Sequence, residues 1–309
     1  MQKRLFRKKS LLGNIMANPL LYVMILPGVI YFAIFNYVPM YGVIIAFKNF
    51  KVAKGIIGSE WIGLQNFRDL FQSAQFYNVF KNSVFLSFLR LFWGFPVPIV
   101  LALLLNEVKS GWMRRTTQTI VYLPHFISWV VICGIVSSFL SPSLEGPVNF
   151  IIRAFGGKTI NFLIEPGYFR TIVIGSEIWK EAGWGAIVYL AAISGIDPSL
   201  YEAAIVDGAN RLRQIWHITL PSIVLTVIVI LILRMGHILN NGFEQVFLLQ
   251  NPLTYGVSDV FETYTYRVGL LQGRFSFSTA VGIFQSIVGM VLIFISNRVS
   301  RKYSGGGLW

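Results

Sequence analysis

Cysteine is nearly absent from this 309-residue chain: Cys133, inside an apolar run, is the single one. An intrachain disulfide is excluded, and no metal site can rest on thiolates. Charge is scarce too, at 13% Asp, Glu, Lys and Arg against 55% hydrophobic residues, with a mean hydropathy of +0.63. That balance excludes a soluble globular domain and describes an all-α polytopic membrane protein. The formal charge of +13 could suggest nucleic acid, but the basic residues flank apolar runs instead of sharing one polar domain. His125, His217 and His237 are far apart and lack ligand spacing, so no metal centre is expected. Gly156-Gly157-Lys158-Thr159 ends like a phosphate-binding loop, yet Ile152 stands where the pattern requires a glycine. No Ser/His/Asp arrangement is visible, and the chain is expected to be no enzyme.

What is abundant is long apolar sequence. Six runs can each supply the roughly 20 residues a bilayer requires. They cover about 20–46, 78–106, 118–139, 169–193, 218–239 and 277–298. The first is too long for a signal-peptide core and no small-residue cleavage pattern follows, so it is read as a retained span. Pro27, Pro39, Pro96 and Pro98 should kink the first two. Basic residues are densest at the termini (Lys3, Arg4, Arg7, Lys8, Lys9; Arg298, Arg301, Lys302), which places both ends in the cytoplasm. The division is then a cytoplasmic segment 1–19, a six-helix domain 20–298 and a tail 299–309. Long outside loops fall at 47–77, 140–168 and 240–276; Trp61 and Phe67 are possible interfacial anchors in the first. The Gly305-Gly306-Gly307 run reads as a flexible end.

Between the fourth and fifth spans lies a short polar interruption, DPSLYEAAIVDGANRLRQIWHITLP, Asp197 to Pro221. Asp197 followed by Pro198 starts a helix: a side-chain acceptor, then a residue with preset φ and no amide to satisfy. Gly208 permits a tight bend, Asn210 can cap a second helix, and Asp207 and Arg211 are four apart. Pro221 stands where a new apolar helix would begin. The stretch reads as a bent helical pair over 197–217, outside the bilayer and rigidly joined to the fifth span.

Glu202-Ala203-Ala204, Gly208 four residues after Ala204, then Ile218, Leu220 and Pro221 resemble the EAA signature of permease subunits of ATP-binding-cassette (ABC) importers. Trp61-Ile62-Gly63-Leu64-Gln65-Asn66-Phe67, Asn82 and Tyr122-Leu123-Pro124 extend the resemblance to carbohydrate-uptake permeases. Four stretches resemble their polysaccharide-permease branch: Asn36 to Gly42, Gly94 to Pro98, Pro124 to Trp129 and Phe247 to Pro252. Gln250-Asn251-Pro252 departs from the Gly-Gly-Pro run of many sugar permeases, so a maltose-type substrate does not transfer.

The resemblance implies a type I importer permease, or MetI-like, fold in a bacterial cytoplasmic membrane. It also implies a second homologous permease, two copies of a cytosolic ATPase and an extracytoplasmic solute-binding protein. ATP and Mg would be used by that ATPase, and no cofactor would be bound by this chain. Glu202, Ala203, Ala204, Asp207, Gly208, Ala209, Leu220 and Pro221 would then form the coupling element. The competing class is an ion-coupled secondary transporter or channel acting alone, which favours inverted repeats and acids on several helices. Here the acids cluster on one span and no repeat is evident.

Charges inside apolar spans usually face a cavity or a partner, because hydrocarbon makes them costly. Arg90, Glu177, Lys180, Glu181 and Arg234 are of this kind, with His237 about one turn beyond Arg234. Glu177 and Lys180 share a helix face, which suggests internal neutralisation. Sugars are held by planar hydrogen-bonding groups and aromatic faces. Candidates for a substrate path are therefore Arg90, Trp179, Lys180, Trp184, Arg234, Asn240, Asn241 and Gln285. The three cations would suit an acidic oligosaccharide.

Overall fold

The computed structural model describes residues 19–108, 110–143 and 146–304. The basic N-terminal residues and the Gly305-Gly306-Gly307 run lie outside the described residues. The chain divides into two compact units, Met1–Asn66 and Phe67–Trp309.

In the first unit, helix α1 (Pro19–Phe47) is apolar on all sides, and no residue from Pro19 to Met40 is buried within the chain. A two-residue antiparallel pair follows, β1 (Lys48–Asn49) and β2 (Glu60–Trp61), with Lys48 opposite Trp61. The Asn66 amide donates to the Ala46 carbonyl at 2.7 Å, which closes the hairpin. Trp61 stacks on Phe47 with centroids 5.8 Å apart.

The second unit is built around α6 (Pro166–Ser194). Val173, Ser176, Lys180, Gly183, Ala186 and Leu190 recur at helical spacing on its buried face. Before it come α2 (Ala74–Glu107), α3 (Gly111–Phe126), α4 (Trp129–Phe139) and α5 (Pro147–Ala154). After it come α7 (Pro198–Val206), α8 (Arg211–Gly236), α9 (Phe243–Leu249), α10 (Phe261–Thr265) and α11 (Phe275–Ser304). In hydrocarbon, helices associate through close packing rather than through escape from water, and small residues permit it. A Cβ on Gly183 would stand 2.0 Å from the Val121 carbonyl oxygen, and one on Gly289 would stand 2.7 Å from that of Gly236. These contacts fasten α6 to α3 and α11 to α8. Phe76, Phe80, Phe261 and Phe284 form an aromatic cluster, with Phe76 and Phe284 edge-to-face at 5.3 Å.

Among the described residues four helices, α1, α2, α8 and α11, are long and apolar enough to cross a membrane unbroken. The fourth expected span, α6, is 29 residues long, but Arg170, Glu177, Lys180 and Glu181 interrupt its apolar character. The third is corrected: α3 and α4 meet at 100° instead of forming one helix over 118–139. The bend leaves the Pro124 carbonyl only the Ile127 amide, at 3.2 Å, and those of His125 and Ile127 no backbone donor among the described residues. The Lys180 ammonium, 6% exposed, supplies what they lost, at 3.4, 2.6 and 2.6 Å respectively.

Pro221 behaves differently from the sequence expectation. No new helix begins at Pro221; α8 starts at Arg211 and runs through it. A proline ring clashes with the carbonyl four residues earlier and removes an amide. For Pro39, Pro96 and Pro221 that earlier residue, Phe35, Phe92 or His217, lies in a π-helical turn, Ala33–Tyr37, Arg90–Gly94 or Ile215–Thr219. The wider turn relieves the clash, so α2 continues past Pro96 and Pro98. Residues 240–276 likewise hold short helices with Gln245, Val246, Leu249, Val260 and Phe261 buried, where an open loop was expected.

Candidate functional site

The first site is the elbow between α7 and α8. The Asp197 side chain accepts from the Ser199 amide at 2.9 Å and caps α7. That bond holds the exposed carboxyl below its ordinary range. At the other end, Gly208 has φ +76°, the left-handed region that glycine enters without penalty. Its amide bonds the Ile205 carbonyl at 3.0 Å and that of Ala209 bonds Ala204 at 2.8 Å. This pair of bonds is a Schellman turn.

Asn210 then caps α8 by accepting from the Arg213 amide at 2.9 Å, and buried Gln214 donates to the Ala209 carbonyl at 2.9 Å. The Tyr201 and Thr219 hydroxyls meet at 2.9 Å and tie α7 to the body of α8. Arg211 lies 3.9 Å from Glu107, not against Asp207 as its spacing suggested. Glu202, Ala203, Asp207 and Gly208 are exposed, Ala204, Ala209 and Leu220 half-buried, and Pro221 exposed. Val206, Leu212 and Trp216 leave apolar surface uncovered beside them.

The second site is a cavity of about 170 Å³ between α2, α6 and the end of α8. Arg90, Glu177, Arg234, His237 and Asn240 line it, together with Ser87. Arg90 Nε is 3.2 Å from Glu177 Oε2, an ion pair whose angle falls outside hydrogen-bond geometry. Arg90 Nη2 donates to Gln245 Oε1 at 2.7 Å, and Gln245 is itself anchored on the Val173 carbonyl and the Ser176 hydroxyl. Gly242, at φ +69°, makes the turn that delivers α9 and Gln245 to this position. Arg234 lies over the Phe95 ring at 5.8 Å and, among the described residues, has no carboxylate within ion-pair distance.

The structure brings together Arg90, Arg234 and Asn240 of the sequence-derived path candidates, and separates the rest. Glu177 neutralises Arg90 and not Lys180, which is occupied by carbonyls and lies 3.9 Å from Glu181. Asn241 is fully buried and spans Ser83, Ser87 and Leu239. Gln285 donates to the Leu239 carbonyl and to Glu262, both at 2.9 Å. Trp184 stacks on His125 with centroids 4.4 Å apart, and His125 meets Glu181 at 2.8 Å. Trp179 borders a separate apolar groove beside α4 and α5. Gln245, Ser87 and Gly242 were missed. The apolar spacing of Val246 and Leu249 was the available sign that Gln245 sits on a helix and not in a loop.

An all-helical bundle of membrane spans, carrying a capped elbow that continues without a break into one of them, defines an integral-membrane transport component. Residues 94–304 match the family described as "Binding-protein-dependent transport system inner membrane component", and the chain belongs to that family. It is similar to the polygalacturonan/rhamnogalacturonan transport system permease protein YteP of Bacillus subtilis (strain 168). The two are 48% identical over 304 residues, 98% of this chain and 94% of that protein. A crystal structure of a bacterial ABC transporter involved in the import of the acidic polysaccharide alginate contains a chain that superposes with a TM-score of 0.88. That chain is 49% identical, and the match covers 96% of this chain and all of the other. A second structure of a bacterial alginate ABC transporter, in complex with an alginate pentasaccharide-bound periplasmic protein, gives a TM-score of 0.89 at 48% identity. Its match covers 97% of this chain and 100% of that chain. The chain is therefore a non-catalytic, multi-pass permease subunit of an ABC importer, and ATP hydrolysis belongs to a separate subunit.

Proposed function

We propose that this permease admits an acidic oligosaccharide and that its elbow, facing the cytoplasm, is the contact through which an ATPase drives it. The observation that carries the reading is the continuity of the elbow with α8. The helix that starts at the Asn210 cap runs without interruption to Gly236, a rod of roughly 39 Å at 1.5 Å per residue. A force applied at Glu202, Ala203, Ala204 and Gly208 is delivered to the far end of that rod. Tilting of α8 against its neighbours is a rigid-body route between inward- and outward-open states.

The substrate class is supported by two observations. The relative and the solved structures that are nearly half identical to this chain carry the names of polygalacturonan/rhamnogalacturonan and of the acidic polysaccharide alginate. The polar cavity places guanidinium groups where an anionic ligand would be stabilised. A full importer on this reading has a second permease, two ATPase copies using ATP and Mg, and an extracytoplasmic binding protein, with both termini of this chain cytoplasmic.

The test is uptake of a galacturonate trimer into proteoliposomes holding the complete importer. Uptake is expected to require both the binding protein and ATP. Persistence of uptake after the ATPase is omitted, with a membrane potential still imposed, would overturn the reading in favour of an ion-coupled carrier.

A further inference from the structure

We infer that Arg234, alone among the intramembrane cations, is the group that receives a carboxylate of the passing sugar. This deepens the proposed acidic-oligosaccharide reading and rests on it. Each of the others is already committed: Arg170 of α6 donates to Asn82 at 3.0 Å and lies over the Phe85 ring. Lys180 is consumed by the carbonyls of the α3–α4 bend. Arg90 is held from two sides, by Glu177 and by Gln245, and only 15% of its side chain is exposed. Arg234 is exposed, has no carboxylate in ion-pair range among the described residues, and lines the same cavity. The Phe95 ring under its guanidinium leaves the planar fork of donors unspent.

The surroundings fit one charged ring. A cavity of about 170 Å³ is below the roughly 300–1,000 Å³ of drug-sized ligand pockets, so it suits a single sugar unit and not a chain. Asn240 stands in the same lining, and its side-chain nitrogen Nδ2 makes no hydrogen bond among the described residues. Arg234 and Asn240 thus offer a charged fork and a neutral donor for a carboxylate and a ring hydroxyl. Arg234 is also on α8, 23 residues beyond Arg211, or roughly 35 Å along the rod that begins at the elbow. Tilting of α8 would carry Arg234 away from the fixed Arg90–Glu177 pair on α2 and α6. The contact is therefore placed where the driven helix moves, so the hold on the carboxylate can change during each cycle.

The experiment compares Arg234→Gln and Arg234→Lys with the unaltered importer in proteoliposomes. Each preparation is given a galacturonate trimer and, separately, its methyl ester, with the binding protein saturated in both cases. Removing the ester isolates charge at constant ring and length. Arg234→Gln should lower the acid-to-ester uptake ratio about tenfold to a hundredfold, the loss of one charge-assisted contact. Arg234→Lys, which keeps a point charge without the fork, should fall between. A parallel loss of both uptakes, or an unchanged ratio, would overturn this assignment while leaving the acidic-sugar reading standing. Failure of the unaltered importer to take up the acid would remove both.

Discussion

Gly208 is the position where the coupling geometry can be tested most directly. At φ +76° an L-residue with a Cβ incurs about 1–2 kcal/mol of strain. A Cβ built there meets nothing within 4 Å, so within this chain the cost is conformational and not steric. If the Schellman turn is the form an ATPase recognises, Gly208→Ala lowers the equilibrium constant for forming it by roughly 5- to 30-fold. Apparent affinity for the ATPase then falls with the fraction of permease that holds the turn, by up to that factor. Asn tolerates the left-handed region better, so Gly208→Asn should retain more of both affinity and uptake than Ala does. Gly208→Val, β-branched, should abolish uptake while binding-protein affinity for the sugar is untouched. The measurements are ATPase retention on the purified permease and ATP-driven uptake in proteoliposomes. Equal behaviour of Ala and Asn would show that contact size, not handedness, governs the elbow; normal transport by Val would refute the coupling assignment.

Three further outcomes are expected. Lys180→Met leaves the carbonyls at the α3–α4 bend without their donor, at about 1–3 kcal/mol for each acceptor left unsatisfied. Unfolding in detergent should move down by about 2–4 °C for each kcal/mol lost, and an unshifted transition would show that the ammonium does not pin the bend. Gly289→Val forces a side chain where Gly236 already sits, at a cost of about 1–3 kcal/mol, and should lower the yield of folded permease. Gly282→Ala, at a site with open space, should not.

The Asp197 cap has a depressed pKa, so its contribution is complete above the ordinary aspartate range and is lost as pH falls through the lowered value. ATPase retention should therefore weaken in acid, and Asp197→Asn, which caps without titrating, should flatten that dependence. An identical acid profile in the Asn variant would remove the cap from the explanation.

The elbow was legible in the sequence because its determinants are local. Asp197-Pro198, Gly208 and Asn210 each act on backbone groups within a few residues, so their order along the chain specifies the turn. The hydrophobic runs were legible for a similar reason: a bilayer demands length and apolarity, both of which are linear properties. The third span was misread because hydropathy is blind to direction. Pro124 and the capping Ser128 mark a break within 118–139, but neither its 100° angle nor the lysine more than 50 residues away that satisfies the freed carbonyls can be read there.

Composition alone therefore determined that this chain crosses a membrane repeatedly, and spacing alone determined that one polar interruption is a capped, hinged pair. Which charges are free was decided only by the tertiary structure. Glu177 is nearer in sequence to Lys180 than to Arg90, yet it pairs with Arg90 on another helix, and Gln245 completes that pairing from a segment that reads as loop. The physical reason is that neutralising a charge in hydrocarbon needs a partner at about 3 Å in space. Helix packing, not distance along the chain, decides which residue that is.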